Sequence, residues 1–137
     1  MKYIGIDYGD ARVGVASTDL GGMIASAVCI IKVKGIEDAV EKVSEKYKEL
    51  GGEALVIGLP RTTNGKNEYR VERTKRFAQM IGEKLSVEPR FFDERFTSLE
   101  ADRYLSEGGV HGKKRKQVLD ALAAQIILQD YVDSQKA

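Results

Sequence analysis

Cysteine, histidine and tryptophan are almost missing from this chain of 137 residues, which has one Cys, one His and no Trp. The lone Cys29 excludes an internal disulfide and a cysteine-built zinc site. It sits in an apolar run and reads as a buried, inert thiol. The lone His111 leaves no multi-histidine metal cluster and no Cys–His pair in evidence. It lies among Gly and Lys and reads as an exposed loop residue. Aromatics are few, which argues against base stacking as the main source of affinity for nucleic acid. No apolar run is long enough to span a membrane, and no charged-then-apolar signal opens the chain. The expected compartment is the cytoplasm, with no membrane partner.

Charge of one sign is also scarce, since the net charge is only +1. That total hides an uneven distribution. Residues 61–76 hold six basic and two acidic side chains, and Lys113, Lys114, Arg115 and Lys116 add four basic groups. The stretch from Ile36 to Glu53 carries six acidic and three basic residues. One basic and one acidic side can coexist in a near-neutral protein. The length fits one domain, residues 1–137, with one core. No repeat, linker or low-complexity tract interrupts it.

What is present begins with Lys2-Tyr3-Ile4-Gly5-Ile6-Asp7-Tyr8-Gly9, an apolar run that climbs to one carboxylate. Arg12 to Ala16 then alternates again, so the opening predicts a β-hairpin. Ile4 and Ile6 should face one side of the first strand, Gly5 and Asp7 the other. Glycine leaves room for something to approach beside Asp7. A carboxylate next to cleared space can receive a hard cation or a phosphate group. Asp7 equally suits a residue that merely starts the turn.

Further strands are expected over 13–17, 24–33, 54–58 and 88–92. Helices are expected over 36–50, 67–85 and 116–132, with a short one capped by Ser98 and reaching Tyr104. The order predicts an α/β fold. A three-strand antiparallel meander joins parallel strands in one mixed five-stranded sheet, with helices on both faces. Functional groups should gather at the carboxyl ends of the parallel strands. Asp7 ends the first, and Asp93 and Glu94 end the last. If those two strands are neighbours, one cation can reach both ends.

Asp120 is the third acid. It stands at the edge of an apolar helical stripe, four residues before Ala124. A carboxylate there is costly unless paired or metal-bound, although the helix dipole near its start would also stabilise it. Carboxylates without His or Cys suit Mg²⁺ or Mn²⁺. Two such ions about 3.5–4 Å apart would activate a water and stabilise a leaving oxygen in phosphodiester cleavage. Arg61, Lys66, Arg70 and Arg73 follow the buried fourth strand and could grip a nucleic-acid backbone. Lys113 to Lys116 could hold a phosphate at the start of the last helix. A solvated loop is the competing reading there.

The chain resembles the YqgF/RuvX family over nearly its whole length. Four blocks carry the resemblance. They are Gly5-Ile6-Asp7-Tyr8-Gly9 with Arg12 to Ala16; Val56 to Pro60 with Asn64-Gly65; Asp93-Glu94-Arg95-Phe96-Thr97-Ser98 with Ala101; and Lys116 with Asp120, Ala123, Ala124 and Ile127-Leu128. The resemblance implies a ribonuclease H-like fold and a nuclease. The substrate would be structured RNA, at the 5′ end of precursor 16S ribosomal RNA, or branched DNA as a Holliday junction resolvase. It implies Asp7, Glu94 and Asp120 as catalytic, metal-binding acids for one or two Mg²⁺ or Mn²⁺ ions. Gly9, Arg12, Asp93, Arg95 and Thr97 would be supporting residues. RuvC resolvases resemble this pattern but carry a second acid on the last helix, where this chain has Ala123, so its acid set is sparser. Two other readings stay open. One is a nucleotide-binding module, because an Asp-x-Gly hairpin also opens actin-like and sugar-kinase domains. The other is a non-catalytic nucleic-acid-binding factor. Either a monomer or a homodimer fits.

Overall fold

A computed structural model describes residues 1–60, 68–93 and 112–136, with side chains in the last helix described from residue 121 onward. Three strands, β1 (Tyr3–Tyr8), β2 (Arg12–Thr18) and β3 (Ala25–Lys32), form the expected antiparallel meander. Helix α1 (Ile36–Glu49), strand β4 (Ala54–Leu59), helix α2 (Glu68–Leu85), strand β5 (Arg90–Asp93) and helix α3 (Gly112–Ser134) follow. The short helix expected from Ser98 to Tyr104 lies outside the described residues. Helix α3 begins at Gly112, before the basic run and not at Lys116, so Lys113 to Lys116 belong to its first turns.

The five strands lie in the order β3-β2-β1-β4-β5. β4 is parallel to β1, and β5 is parallel to β4. The condition that the first and last strands be neighbours is therefore not met. β4 stands between them, with Ile6, Ile57 and Phe91 level across the three strands. Ala54-Leu55-Val56-Ile57 is apolar and buried on both sides, as a strand covered on both faces must be. A strand of that kind belongs at the centre of the parallel half.

Helices cover both faces. On one face Ile4, Ile6, Leu55 and Ile57 pack with Val40 and Val43 of α1 and Phe77 and Ile81 of α2. The apolar spacing that marked these helices in the sequence is the stripe they bury. Helix α1 ends as its glycine pair demands. Gly51 has φ +71° and donates its N–H to the Lys48 carbonyl, while Gly52 donates to that of Tyr47. On the other face Ala16, Val56, Ala124, Ile127 and Leu128 form a smaller core under α3.

Helix α3 is held at a defined height on its face. The Ala25 N–H donates to Gln129 Oε1 at 2.8 Å, and Gln125 Nε2 donates to the Ala25 carbonyl at 3.2 Å. At the other side of the sheet Arg90 Nη1 donates to the Tyr131 hydroxyl at 3.1 Å. The Tyr131 ring meets Tyr3 edge-on at 5.9 Å.

Candidate active site

Strand β1 carries Asp7 one residue before its end, where Asp7 pairs with Gly14 of β2. Strand alternation puts Asp7 on the same face as Gly5. That face is the one α3 covers. A Cβ built on Gly5 would stand 2.7 Å from Leu128 Cβ and 3.2 Å from the Ala124 carbonyl oxygen. Gly5 is thus what allows α3 to sit directly on the strand.

Helix α3 runs opposite to β1, since Tyr131 meets Tyr3 while Ala124 and Leu128 meet Gly5. A strand advances about 3.3 Å per residue and a helix about 1.5 Å, so two residues along β1 match about four along α3. Gly5 meets both Ala124 and Leu128, so moving from Gly5 to Asp7 moves toward the N-terminus of α3, to somewhere within residues 120–124.

Asp93 is placed differently. It ends β5, level with Leu59, and two strand spacings of about 4.8 Å separate β5 from β1. Phe92 packs under α3, so Asp93, the next residue, falls on the opposite face from Asp7. That removes it from direct company with Asp7. Glu94, Arg95, Thr97, Arg61 and Lys66 lie outside the described residues, as do the side chains of Lys113, Lys114, Arg115, Lys116 and Asp120. Among the described residues no three His, Cys, Asp or Glu side chains come together.

The β1–β2 turn opens beside Asp7. A cavity of about 350 Å³ is lined there, among the described residues, by Asp7, Tyr8, Gly9, Asp10, Ala11, Arg12 and Arg70. Gly9 is needed for the tightness of the turn, because a Cβ on it would lie 2.7 Å from the Arg12 carbonyl oxygen. A second cavity of about 190 Å³ shares Tyr8, Gly9, Asp10 and Arg70 with the first and adds Tyr69, Arg73 and Thr74. Of the basic residues singled out in the sequence, Arg12 and Arg70 are thus brought to the Asp7 cleft, and Arg73 to its neighbour.

Sequence reasoning missed what organises this corner. Asp10 Oδ1 accepts hydrogen bonds from the Tyr8 hydroxyl at 3.2 Å and from Arg73 Nε at 3.3 Å. The buried Tyr8 ring stacks on Phe77 of α2 at 4.6 Å. Burial, reinforced by the Asp10 charge, pushes the Tyr8 hydroxyl above its ordinary pKa, and the hydrogen bond to Asp10 raises that of Arg73. The turn bearing the site is tied to α2 by a ring stack and an ion pair. Asp10 and Arg73 are 63 residues apart, and no local spacing links them.

Hard divalent cations prefer oxygen ligands, and the donor set suits them. Asp7 offers a carboxylate on a face cleared by Gly5.

The model of the family described as "RuvX: Holliday junction resolvase" matches residues 1–134. The chain belongs to the RuvX family. It is 40% identical over 137 residues to a protein of Caldanaerobacter subterraneus subsp. tengcongensis named "Putative pre-16S rRNA nuclease", with 99% of each chain covered. It is also 40% identical over 136 residues to a protein of that name from Pelotomaculum thermopropionicum, covering 98% of this chain and 88% of that one. RuvC of T. thermophilus, solved in complex with a Holliday junction substrate, has the same fold. The TM-score is 0.63 at 16% identity, over 98% of this chain and 95% of that one. The ribonuclease H-like architecture expected for a RuvX protein is the architecture found, a mixed five-stranded sheet between helices.

Proposed function

We propose that this chain is a metal-dependent endonuclease acting on structured nucleic acid, and that it processes the 5′ end of precursor 16S ribosomal RNA in the cytoplasm. It would do so as a single domain over residues 1–137. The observation that carries the reaction type is the end of β1. There Asp7 lies on the Gly5 face, the face that α3 covers, beside a cleft bearing Arg12 and Arg70. The substrate follows from relatives 40% identical over nearly their whole length that bear the pre-16S rRNA nuclease name.

Asp7, Glu94 and Asp120 would hold one or two Mg²⁺ or Mn²⁺ ions. Such ions, when bound, supply charge stabilisation and a water of lowered pKa. The chain's own groups do the rest. Arg12 and Arg70 would pair with phosphate oxygens in the cleft without reading sequence. Asp10 holds Arg73 in place, and Gly9 keeps the turn tight. Asp93, Arg95 and Thr97 would support the acids. Arg61, Lys66 and Lys113 to Lys116 would extend the grip along the backbone.

The family description and the RuvC-like fold favour one second reading, resolution of four-way DNA junctions. That reaction needs two sites and so a homodimer, whereas precursor trimming is compatible with a monomer. The deciding experiment supplies Mn²⁺ or Mg²⁺ with a labelled precursor-like RNA and, separately, a four-way DNA junction. Asp7→Asn runs alongside as the control for contaminating nuclease. RNA cut only by the wild type supports processing, and a symmetrically cut junction supports resolution. Binding without cleavage of either substrate would return the chain to the non-catalytic reading.

A further inference from the structure

Beyond the phosphate contacts, we infer that Tyr69 and Arg73 of α2 form a stacking subsite for one unpaired nucleobase next to the Asp7 cleft. Tyr69 is 64% exposed, although Tyr is a side chain that usually covers much of its ring. It stands in the first turn of α2, four residues before Arg73. The Arg73 guanidinium lies 5.9 Å from the Tyr69 ring centroid. Arg73 is itself fixed by Asp10. The ring is therefore backed by a cation that is not free to swing away.

The same ring lines the 190 Å³ cavity that adjoins the Asp7 cleft, and Arg70 lines both. Tyr69 and Arg73 also open onto a shallower cavity with Glu72, Lys75, Arg76 and Gln79, where three basic residues stand against one acidic one. A planar π-face, a guanidinium beside it and a second guanidinium facing the next cavity match the parts of one nucleotide. The base would stack on Tyr69 while its phosphate reaches Arg70 and the neighbouring phosphate enters the Asp7 cleft. A base inside a duplex is already stacked on both sides and cannot use the ring. The subsite therefore selects substrates that are single-stranded or frayed beside the cut. Scarcity of aromatics elsewhere does not oppose this, because one ring serves one base.

This inference rests on the nuclease reading for its biological use, but its test does not need cleavage. The probe is a short RNA carrying 2-aminopurine, presented in EDTA either single-stranded or annealed to its complement. The wild type is expected to bind the single-stranded form more tightly and to quench its fluorescence. Tyr69→Ala should lose about tenfold in affinity for that form together with the quenching, and Tyr69→Phe should keep both. Tyr69 is exposed, so neither variant is expected to disturb folding, and thermal unfolding checks this. Unchanged affinity and quenching in Tyr69→Ala would overturn the subsite, as would a wild type that quenches neither form. A wild type that shows the Tyr69-dependent quenching yet cuts nothing with metal would sink the nuclease reading and leave the subsite standing. Cleavage with no Tyr69 dependence would do the reverse.

Discussion

Along β1, Ile4 and Ile6 are fully buried against α1 and α2, whereas Gly5 meets α3 on the other side, the side that Asp7 shares by alternation. The first face is filled with large branched side chains. The second is stripped to glycine under a helix that presents Ala124 to it. One strand thus serves as core on one side and as the floor of the site on the other. Alternation makes this possible, since neighbouring residues never compete for the same space. Stability is concentrated where side chains are large, and access where they are small.

The largest effect should come from the sparse face. Asp7→Asn is expected to lower metal-dependent cleavage by about a hundredfold or more. Its melting temperature should hold, because Asn keeps the size and shape of the Asp7 side chain. A labelled RNA assay with parallel thermal unfolding checks both, and full activity would remove Asp7 from the mechanism. On the dense face Ile6→Ala should do the opposite. It should cost about 2–5 kcal/mol in urea unfolding through a cavity between β1 and the two helices.

Gly5→Ala sharpens the comparison. Its methyl would press on Leu128 Cβ and the Ala124 carbonyl, and overpacking of that kind costs about 1–3 kcal/mol. Because it presses α3 away from the strand that carries Asp7, cleavage should fall further than in Ile6→Val, which loses about 0.5–1.5 kcal/mol. Equal activity in the two variants would break the division of labour between the faces.

The smallest effect concerns the turn. Burial and Asp10 raise the Tyr8 pKa above 10.0 in the folded state. As pH climbs past about 10, the unfolded chain releases that proton first, so stability falls until the folded-state value is passed. Tyr8→Phe should therefore flatten the alkaline limb of stability against pH, leaving the parts due to Tyr47 and Cys29, whose pKa values burial also raises. An unchanged limb would mean that Tyr8 is not shielded as its packing on Phe77 requires.

The elements of this fold were legible because each has a local cause. Period-2 alternation marks β1 and β2, a fully apolar run marks β4, and helical stripes mark α1 and α2. The face shared by Gly5 and Asp7 followed from alternation alone. The site was legible only as candidates. Asp7, Arg12 and Arg70 could be named as residue types fit for the chemistry, but not as neighbours. The condition that the first and last strands be neighbours was not met, because the apolar run of β4, buried on both faces, takes the place beside β1. The Arg73–Asp10 pair was invisible for a related reason: it joins a hairpin turn to a helix across 63 residues. The cation–π pair of Tyr69 and Arg73, by contrast, sits at helical i, i+4 spacing and could have been found.

By itself, then, the sequence determined which segments become strands and helices, which strand face is large and which is small, and which residues have the chemistry for metal and phosphate. These depend on neighbours within a few positions. Only the tertiary structure decided that β4 separates β1 from β5, that α3 lies against Gly5 through Ala124 and Leu128, and that Asp10 holds α2 to the site. Those relations depend on how whole elements pack and on contacts between segments far apart in the chain, which no local pattern encodes.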